Sequence, residues 1–132
     1  MEEIAIETPQ KICLVKITEK IQEILGKYPA GQGLLHIFVP HTTAGITINE
    51  NTDSDVTHDL EKALGKITPE VNYNHIKGNS PAHLLSTVCG VSMTIPYKNG
   101  KLCLGRWQGI YLAEFDGPRR RKLLLTAIDV AY

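Results

Sequence analysis

Val91-Ser-Met-Thr-Ile-Pro-Tyr97, then Lys98-Asn-Gly100, then Lys101-Leu-Cys-Leu-Gly-Arg-Trp107 is the stretch whose reading decides the fold. Both arms are rich in residues that suit a pleated, half-buried surface. Between them Asn99-Gly100 supplies the left-handed backbone that a tight hairpin turn requires, so the arms pair antiparallel. Working outward, Lys11–Ile17, Leu34–Val39, Gly45–Asn49, Gly109–Phe115 and Lys122–Val130 are each short, β-branched or apolar, and bounded by Gly, Pro or Asn. Three helices interrupt these strands. Thr18 is placed to cap the first, with Ile21, Ile24 and Leu25 on one face and a stop near Gly26. Asp53 caps the second, with Val56, Leu60, Ala63 and Leu64 on one face and Gly65 at its end. Ser80 caps a third and shorter one, with Pro81 at its first position. Strands and helices do not alternate regularly. A parallel sheet is thereby disfavoured, and the expected class is α+β, mainly β: an antiparallel, jelly-roll-like sandwich with two or three short helices.

The chain has 132 residues, 42% of them hydrophobic, and is read as a single domain over 1–132. Fourteen Lys and Arg balance fourteen Asp and Glu, which gives no excess charge for nucleic acid or an anionic membrane. The apolar runs Leu34–Val39 and Leu123–Ala127 are far too short to span a bilayer. Met1-Glu-Glu lacks the basic-then-apolar character of an export signal. Cys13, Cys89 and Cys103 are odd in number and unpatterned, as expected of reduced thiols in a cytoplasmic protein.

The neutral total hides two chemically distinct segments. All five histidines lie between His36 and His83, and no Lys or Arg occurs between Lys27 and Lys62. Basic residues gather instead at Arg106 and Arg119-Arg-Arg-Lys122. Imidazoles beside carboxylates suit metal binding or proton transfer, and guanidinium forks suit phosphate. Yet each motif also has a plain structural reading. His41-Thr-Thr-Ala-Gly45 is either a ligand loop offering Thr42 and Thr43 hydroxyls or a β-turn capping itself. His36 belongs in a strand and His58 on a solvated helix face. His75 and His83 flank the start of the third helix, where backbone N–H groups of Ser80-Pro81-Ala82 favour an anion. Arg119 and Arg121 alternate onto one face, and Arg120 and Lys122 onto the other. The same residues would serve as a polar sheet edge.

His41-Thr-Thr-Ala-Gly-Ile-Thr-Ile-Asn-Glu-Asn51, Asp53, Asp55-Val56, Tyr73-x-His75-x-x-Gly78-Asn79-x-x-Ala82-His83-Leu84, Gly100-x-Leu102-x-Leu104-Gly105-x-Trp107-Gln108-x-Ile110 and Glu114-Phe-Asp-Gly-Pro-Arg119-x-Arg121 together resemble the YjbQ family, in the family's order over nearly the whole chain. The resemblance implies a homotrimer of β-sandwich subunits with sites near subunit interfaces. Apolar surface at Trp107, Ile110 and Tyr111 would be covered by such association. It also implies a weak, secondary thiamine-phosphate synthase activity, a transfer that joins a pyrimidine diphosphate to a thiazole phosphate and releases diphosphate. Zinc or another divalent metal is implied at His41, His75 and His83. On that expectation His83, Glu50 and Asp116 are catalytic, while Arg119, Arg121, Asn79, Gln108, Thr42 and Thr43 hold a small phosphorylated metabolite. A metal-dependent binding or scaffolding trimer is the alternative.

Overall fold

A computed structural model describes residues 1–27 and 31–131. Among them the chain is α+β and mainly β. Its elements are β1 (Glu2–Glu7), β2 (Cys13–Lys16), α1 (Thr18–Leu25), β3 (Gln32–Phe38), β4 (Ala44–Glu50), α2 (Ser54–Leu64), α3 (Ser80–Cys89), β5 (Ser92–Lys98), β6 (Lys101–Leu102), β7 (Gln108–Glu114) and β8 (Arg120–Asp129). The strands form a five-stranded sheet in the order β1-β8-β3-β5-β6 and a three-stranded sheet in the order β2-β7-β4. Every pairing is antiparallel.

The hairpin forms where Asn99-Gly100 requires it, with φ of 54° and 70° at those two residues. Its second arm is much shorter than the expected Lys101–Trp107, because pairing with β5 ends at Tyr97↔Leu102 and the chain turns away. β1 is a strand with no counterpart in the sequence reading. It pairs with β8 from Glu2↔Leu125 to Glu7↔Arg120. Its Glu7 and Glu3 make exposed ion pairs with Arg120 (3.1 Å) and Lys122 (3.2 Å), so part of the basic cluster is neutralised across the ladder.

Both sheets feed one apolar core. Leu35, Ile37, Ile95, Leu123 and Leu125 come from the five-stranded sheet, Ile46, Ile110 and Leu112 from the other, and Ile21 and Leu25 from α1. Each such side chain contributes about 1.5–3 kcal/mol on full burial. Ile110 belongs to this interior and Tyr111 is buried as well, 0% and 5% exposed, so of the expected association surface only Trp107 is outside.

Two of the helices, α2 and α3, serve the edges of the smaller sheet. Asp53 caps α2 as expected, accepting from the Asp55 N–H at 2.9 Å. α2 buries none of its residues, but its Glu61 accepts the edge N–H of Leu14 in β2 at 2.9 Å. α3 lies along β4. There Ser86 Oγ donates to Ala44 O (2.6 Å), Cys89 Sγ to Ile46 O (3.5 Å), and Ile46 N–H to Gly90 O (3.1 Å). Gly45 permits that approach: a Cβ there would lie 2.6 Å from Gly90 O. Two expected caps differ. Thr18 is the first residue of α1 rather than its cap, and its hydroxyl accepts the β7 N–H of Ile110 at 2.8 Å. Asn79, not Ser80, precedes α3 as its cap residue.

Candidate functional site

The end of β7, the turn after it and the start of β8 meet the His41–Thr43 loop, and a buried ion pair holds them together. Even positions of β7 face the core with Ile110 and Leu112, which places Glu114 inside at 0% exposure. A buried carboxylate needs partners, and this one has four. Thr8 Oγ1 donates to Oε1 (2.7 Å), the Phe115 and Asp116 N–H groups to Oε2 (3.0 Å each), and Arg121 to both oxygens. Burial pushes the Glu114 carboxyl up, but the Arg121 and Thr8 hydrogen bonds outweigh it and hold the group below its ordinary range. Sequence reading places Glu114 in a motif but gives it no role. The signal was its alternation with Ile110 and Leu112.

Arg121 is 4% exposed and spends its Nη2 also on Thr43, 2.8 Å to Oγ1 and 3.1 Å to the carbonyl. Its fork therefore braces the fold beneath the site, and Thr43 is buried with it. Arg119 separates from Arg121. It precedes β8, is half exposed, and its guanidinium reaches back to the Asp116 carbonyl (2.7 Å, Nε) and carboxylate (2.9 Å, Nη2).

Asp116 is the meeting point. Besides Arg119 it accepts from Asn79 Nδ2 at 3.1 Å, which joins the β7–β8 turn to the start of α3. Burial would raise its carboxyl, and the Asn79 and Arg119 hydrogen bonds carry it below the usual range instead. Asn79 gives α3 no side-chain cap, since its Oδ1, the atom that would accept a helix N–H, is buried without a partner. Such an orphan acceptor costs about 1–3 kcal/mol, a cost the helix end alone does not require. Asn79 can thus offer its Oδ1 as an acceptor and the second hydrogen of its Nδ2 as a donor beyond Asp116. The helix terminus is also poorer in donors than expected: Pro81 has no N–H, and the Ala82 N–H donates to Asn79 O at 3.0 Å. Asn79 and Asp116 border a cavity of about 330 Å³ whose other walls include Lys11, Lys77 and Phe115.

His83, one turn into α3, meets His75 edge to face, with ring centroids 5.9 Å apart. His41 stands apart from that contact. Its Nε2 accepts the Lys122 N–H at 2.9 Å, and burial, then the Arg121 charge, hold its pKa below the ordinary value. In this arrangement the remaining ring nitrogen carries the proton, so His41 has no lone pair for a metal. Among the described residues no three His, Cys, Asp or Glu groups are placed to share an ion. The three-histidine set is not assembled within one chain.

Glu50 and Gln108 lie elsewhere. β4 pairs with β7 from Ala44↔Glu114 to Glu50↔Gln108. Six residues of strand therefore separate them from the Glu114 end, about 20 Å. There Glu50 accepts the N–H (2.9 Å) and hydroxyl (2.5 Å) of Thr52, bonds that lower its pKa. Gln108 Oε1 accepts the Gly105 N–H at 2.7 Å, and Arg106 lies 5.1 Å over the ring of exposed Trp107. Thr42 is exposed. His36 sits in β3 and His58 on the exposed face of α2, as read from the sequence. All three cysteines are free thiols, and among the described residues no helix is long and apolar enough to cross a membrane.

The chain matches the family described as UPF0047 protein YjbQ-like over residues 2–130. The UPF0047 protein MJ1081 of Methanocaldococcus jannaschii is 48% identical over 124 residues, 93% of this chain and 90% of that protein. UPF0047 protein YugU of Bacillus subtilis is 40% identical over 92% of this chain and 93% of its own length. The crystal structure of a YjbQ/UPF0047 family protein from Clostridium acetobutylicum superposes with a TM-score of 0.91 at 44% identity, covering 97% of this chain and all of that one. A family match over almost the whole length, joined to this similarity in sequence and structure, means that the chain belongs to the UPF0047, YjbQ-like family.

Proposed function

We propose that this protein is a phosphate-handling enzyme with a weak thiamine-phosphate synthase activity, working at the Asp116 end of the molecule. One observation carries the reading: Asp116 is held between Asn79 and Arg119 at the border of a cavity that also presents Lys11 and Lys77. A pyrimidine diphosphate needs cations where charge gathers on its leaving group. Arg119, steadied by Asp116, supplies a fork, and the two lysines supply point charges. His83 follows the wall residues Pro81 and Ala82 along α3 and is the proton carrier in this reading, with His75 against its ring. Arg121 and Glu114 act from below by fixing the turn that carries Asp116 and Arg119.

The metal in this reading narrows to His75 and His83, a pair that offers two imidazoles where a divalent ion needs more donors. A metal bound there would supply charge stabilisation for the departing diphosphate. A homotrimer accounts for the distance between the two ends of β4: the Glu50 and Gln108 end of one copy meets the Asp116 end of the next. Each subunit in that assembly is a jelly-roll-like sandwich of its two sheets.

The alternative, a binding or scaffolding trimer without dedicated catalysis, is favoured by Glu50, whose hydrogen bonds to Thr52 make it a weak base. Incubating the purified protein with pyrimidine diphosphate and thiazole phosphate, with chromatography of thiamine phosphate, decides between them. Slow product formation that Arg119→Lys abolishes supports the enzyme. Calorimetric binding of both substrates with no product above the uncatalysed rate supports the binder.

A further inference from the structure

A second concave site lies at the opposite end of the five-stranded sheet, beneath α1, and its origin is legible residue by residue. β3 is central there, with β5 on one side and β8 on the other. The cross-strand row at its start is Tyr97–Gly33–Asp129, and the next row on the same face is Ile95–Leu35–Ala127. Gly33 has no side chain, and none could be added, since a Cβ would fall 1.9 Å from Ile128 O. With Gly33 empty and Ala127 small, this face of the sheet is hollow just where α1 passes over it. The result is a cleft of about 220 Å³ with Leu35 and Leu125 in its floor and Ile24 and Leu25 of α1 in its wall.

One polar device sits in this apolar cleft. Tyr97, 4% exposed, reaches across the missing Gly33 side chain and donates its hydroxyl to Asp129 Oδ1. That bond, and burial after it, push the phenol up to about 12, so Tyr97 stays a donor at any physiological pH. The carboxylate is thereby fixed at the mouth, and Glu2 adds a second acidic side chain to the lining. No Lys, Arg or His is among the described lining residues. Apolar walls with a few convergent polar groups are the usual form of a small-molecule site, and the volume is below the ~300 Å³ at which drug-sized sites begin. A fixed carboxylate at an apolar cleft selects a cation with a hydrocarbon body, because an anion would be repelled and an ammonium adds a charge-assisted hydrogen bond that a neutral molecule does not.

We propose that this cleft is a binding site for a small amine with an apolar or aromatic body, its ammonium group held by Asp129 and its body resting on Leu35, Leu125 and Ile24. The site shares no residue with the Asp116 cavity, so it stands or falls independently of the activity proposed there.

The test is a two-dimensional ¹H–¹⁵N NMR titration of the full chain with phenethylamine, and with 2-phenylethanol as its uncharged counterpart. Saturable shifts at the Gly33, Gly100 and Ala127 amides are expected with phenethylamine, and binding at least ~10-fold weaker with the alcohol. Asp129→Asn, which keeps an acceptor for Tyr97, should weaken the amine ~10-fold and leave the alcohol unchanged. Ala127→Leu, which fills the cleft from an exposed position, should abolish both while the rest of the spectrum stays native. Equal affinity for amine and alcohol would overturn the proposal, as would shifts that persist in Ala127→Leu or the absence of saturable shifts at these amides.

Discussion

Glu114 of the three-stranded sheet and Arg121 of the five-stranded sheet form an ion pair whose side chains are 0% and 5% exposed, and it ties the two sheets together beneath the turn that carries Asp116. A buried pair of this kind is costly to break from one side, because the remaining charge has no water to turn to. Glu114→Gln should destabilise the fold by about 3–5 kcal/mol, and Arg121→Met by a similar amount. The double variant Glu114→Gln/Arg121→Met should lose clearly less than the sum. Urea denaturation of the three variants measures this, and strict additivity would show that the two groups do not act as a pair.

Acid should expose the same network. Glu114 and Asp116 both have carboxyls held below their ordinary values, so their contribution is fully present above the unfolded pKa and is lost as pH falls through the lower folded one. His41 is lowered from 6.5, so protonation favours the unfolded chain as pH drops below that value. Stability should therefore decline in two stages, one beginning near pH 6.5 and one beginning as pH falls into the ordinary carboxyl range. His41→Gln should remove the first stage and Glu114→Gln should shrink the second, as followed by thermal melts across pH.

The arginines should divide by position rather than by charge. Arg119→Lys keeps a cation but loses the fork, and should weaken pyrophosphate binding by about 1.5 kcal/mol, roughly tenfold. Arg120→Lys, paired on the surface with Glu7, should leave affinity unchanged. Arg121→Lys should show its effect first in the melting temperature. Calorimetry on folded variants separates these outcomes, and equal affinities for Arg119→Lys and Arg120→Lys would remove Arg119 from the site.

Zinc should depend on His75 and His83 and not on His41. His75→Ala and His83→Ala should each lower zinc affinity at least about tenfold, whereas His41→Ala should leave it unchanged. Metal analysis after dialysis at pH 7.5 checks this. Dependence on His41 would mean that its bond to the Lys122 N–H opens to admit the metal.

What the sequence disclosed follows from how local each signal is. Asn99-Gly100 and Asp53 act on backbone within a few residues, so the hairpin and the α2 cap are readable where they stand. β1 is not: Glu2, Glu3 and Glu7 look like a charged terminus until Arg120 and Lys122 lie opposite them. The burial of Arg121 depends on Glu114 in another sheet and on Thr8, 106 residues from Glu114. Alternation alone put Arg119 and Arg121 side by side. Strand β8 begins only at Arg120, so Arg119 belongs to the turn and points to Asp116. The candidate residues are each named from their own short motifs. Their division into two ends of one strand pair, with Glu50 and Gln108 far from Asp116, is a matter of register that no single segment encodes.

Ser86, Cys89 and Gly90 occupy the outer hydrogen-bonding groups of β4 at Ala44 and Ile46. An exposed strand at that position would be a template onto which any extended chain could zip, including a misfolded copy of this one. The helix makes the template unreadable, and it does so with a hydroxyl, a thiol and one carbonyl rather than with a further strand. Copies of this protein can therefore meet along the Ala44–Ile46 stretch only through side chains, and growth into a continuous intermolecular sheet is blocked there.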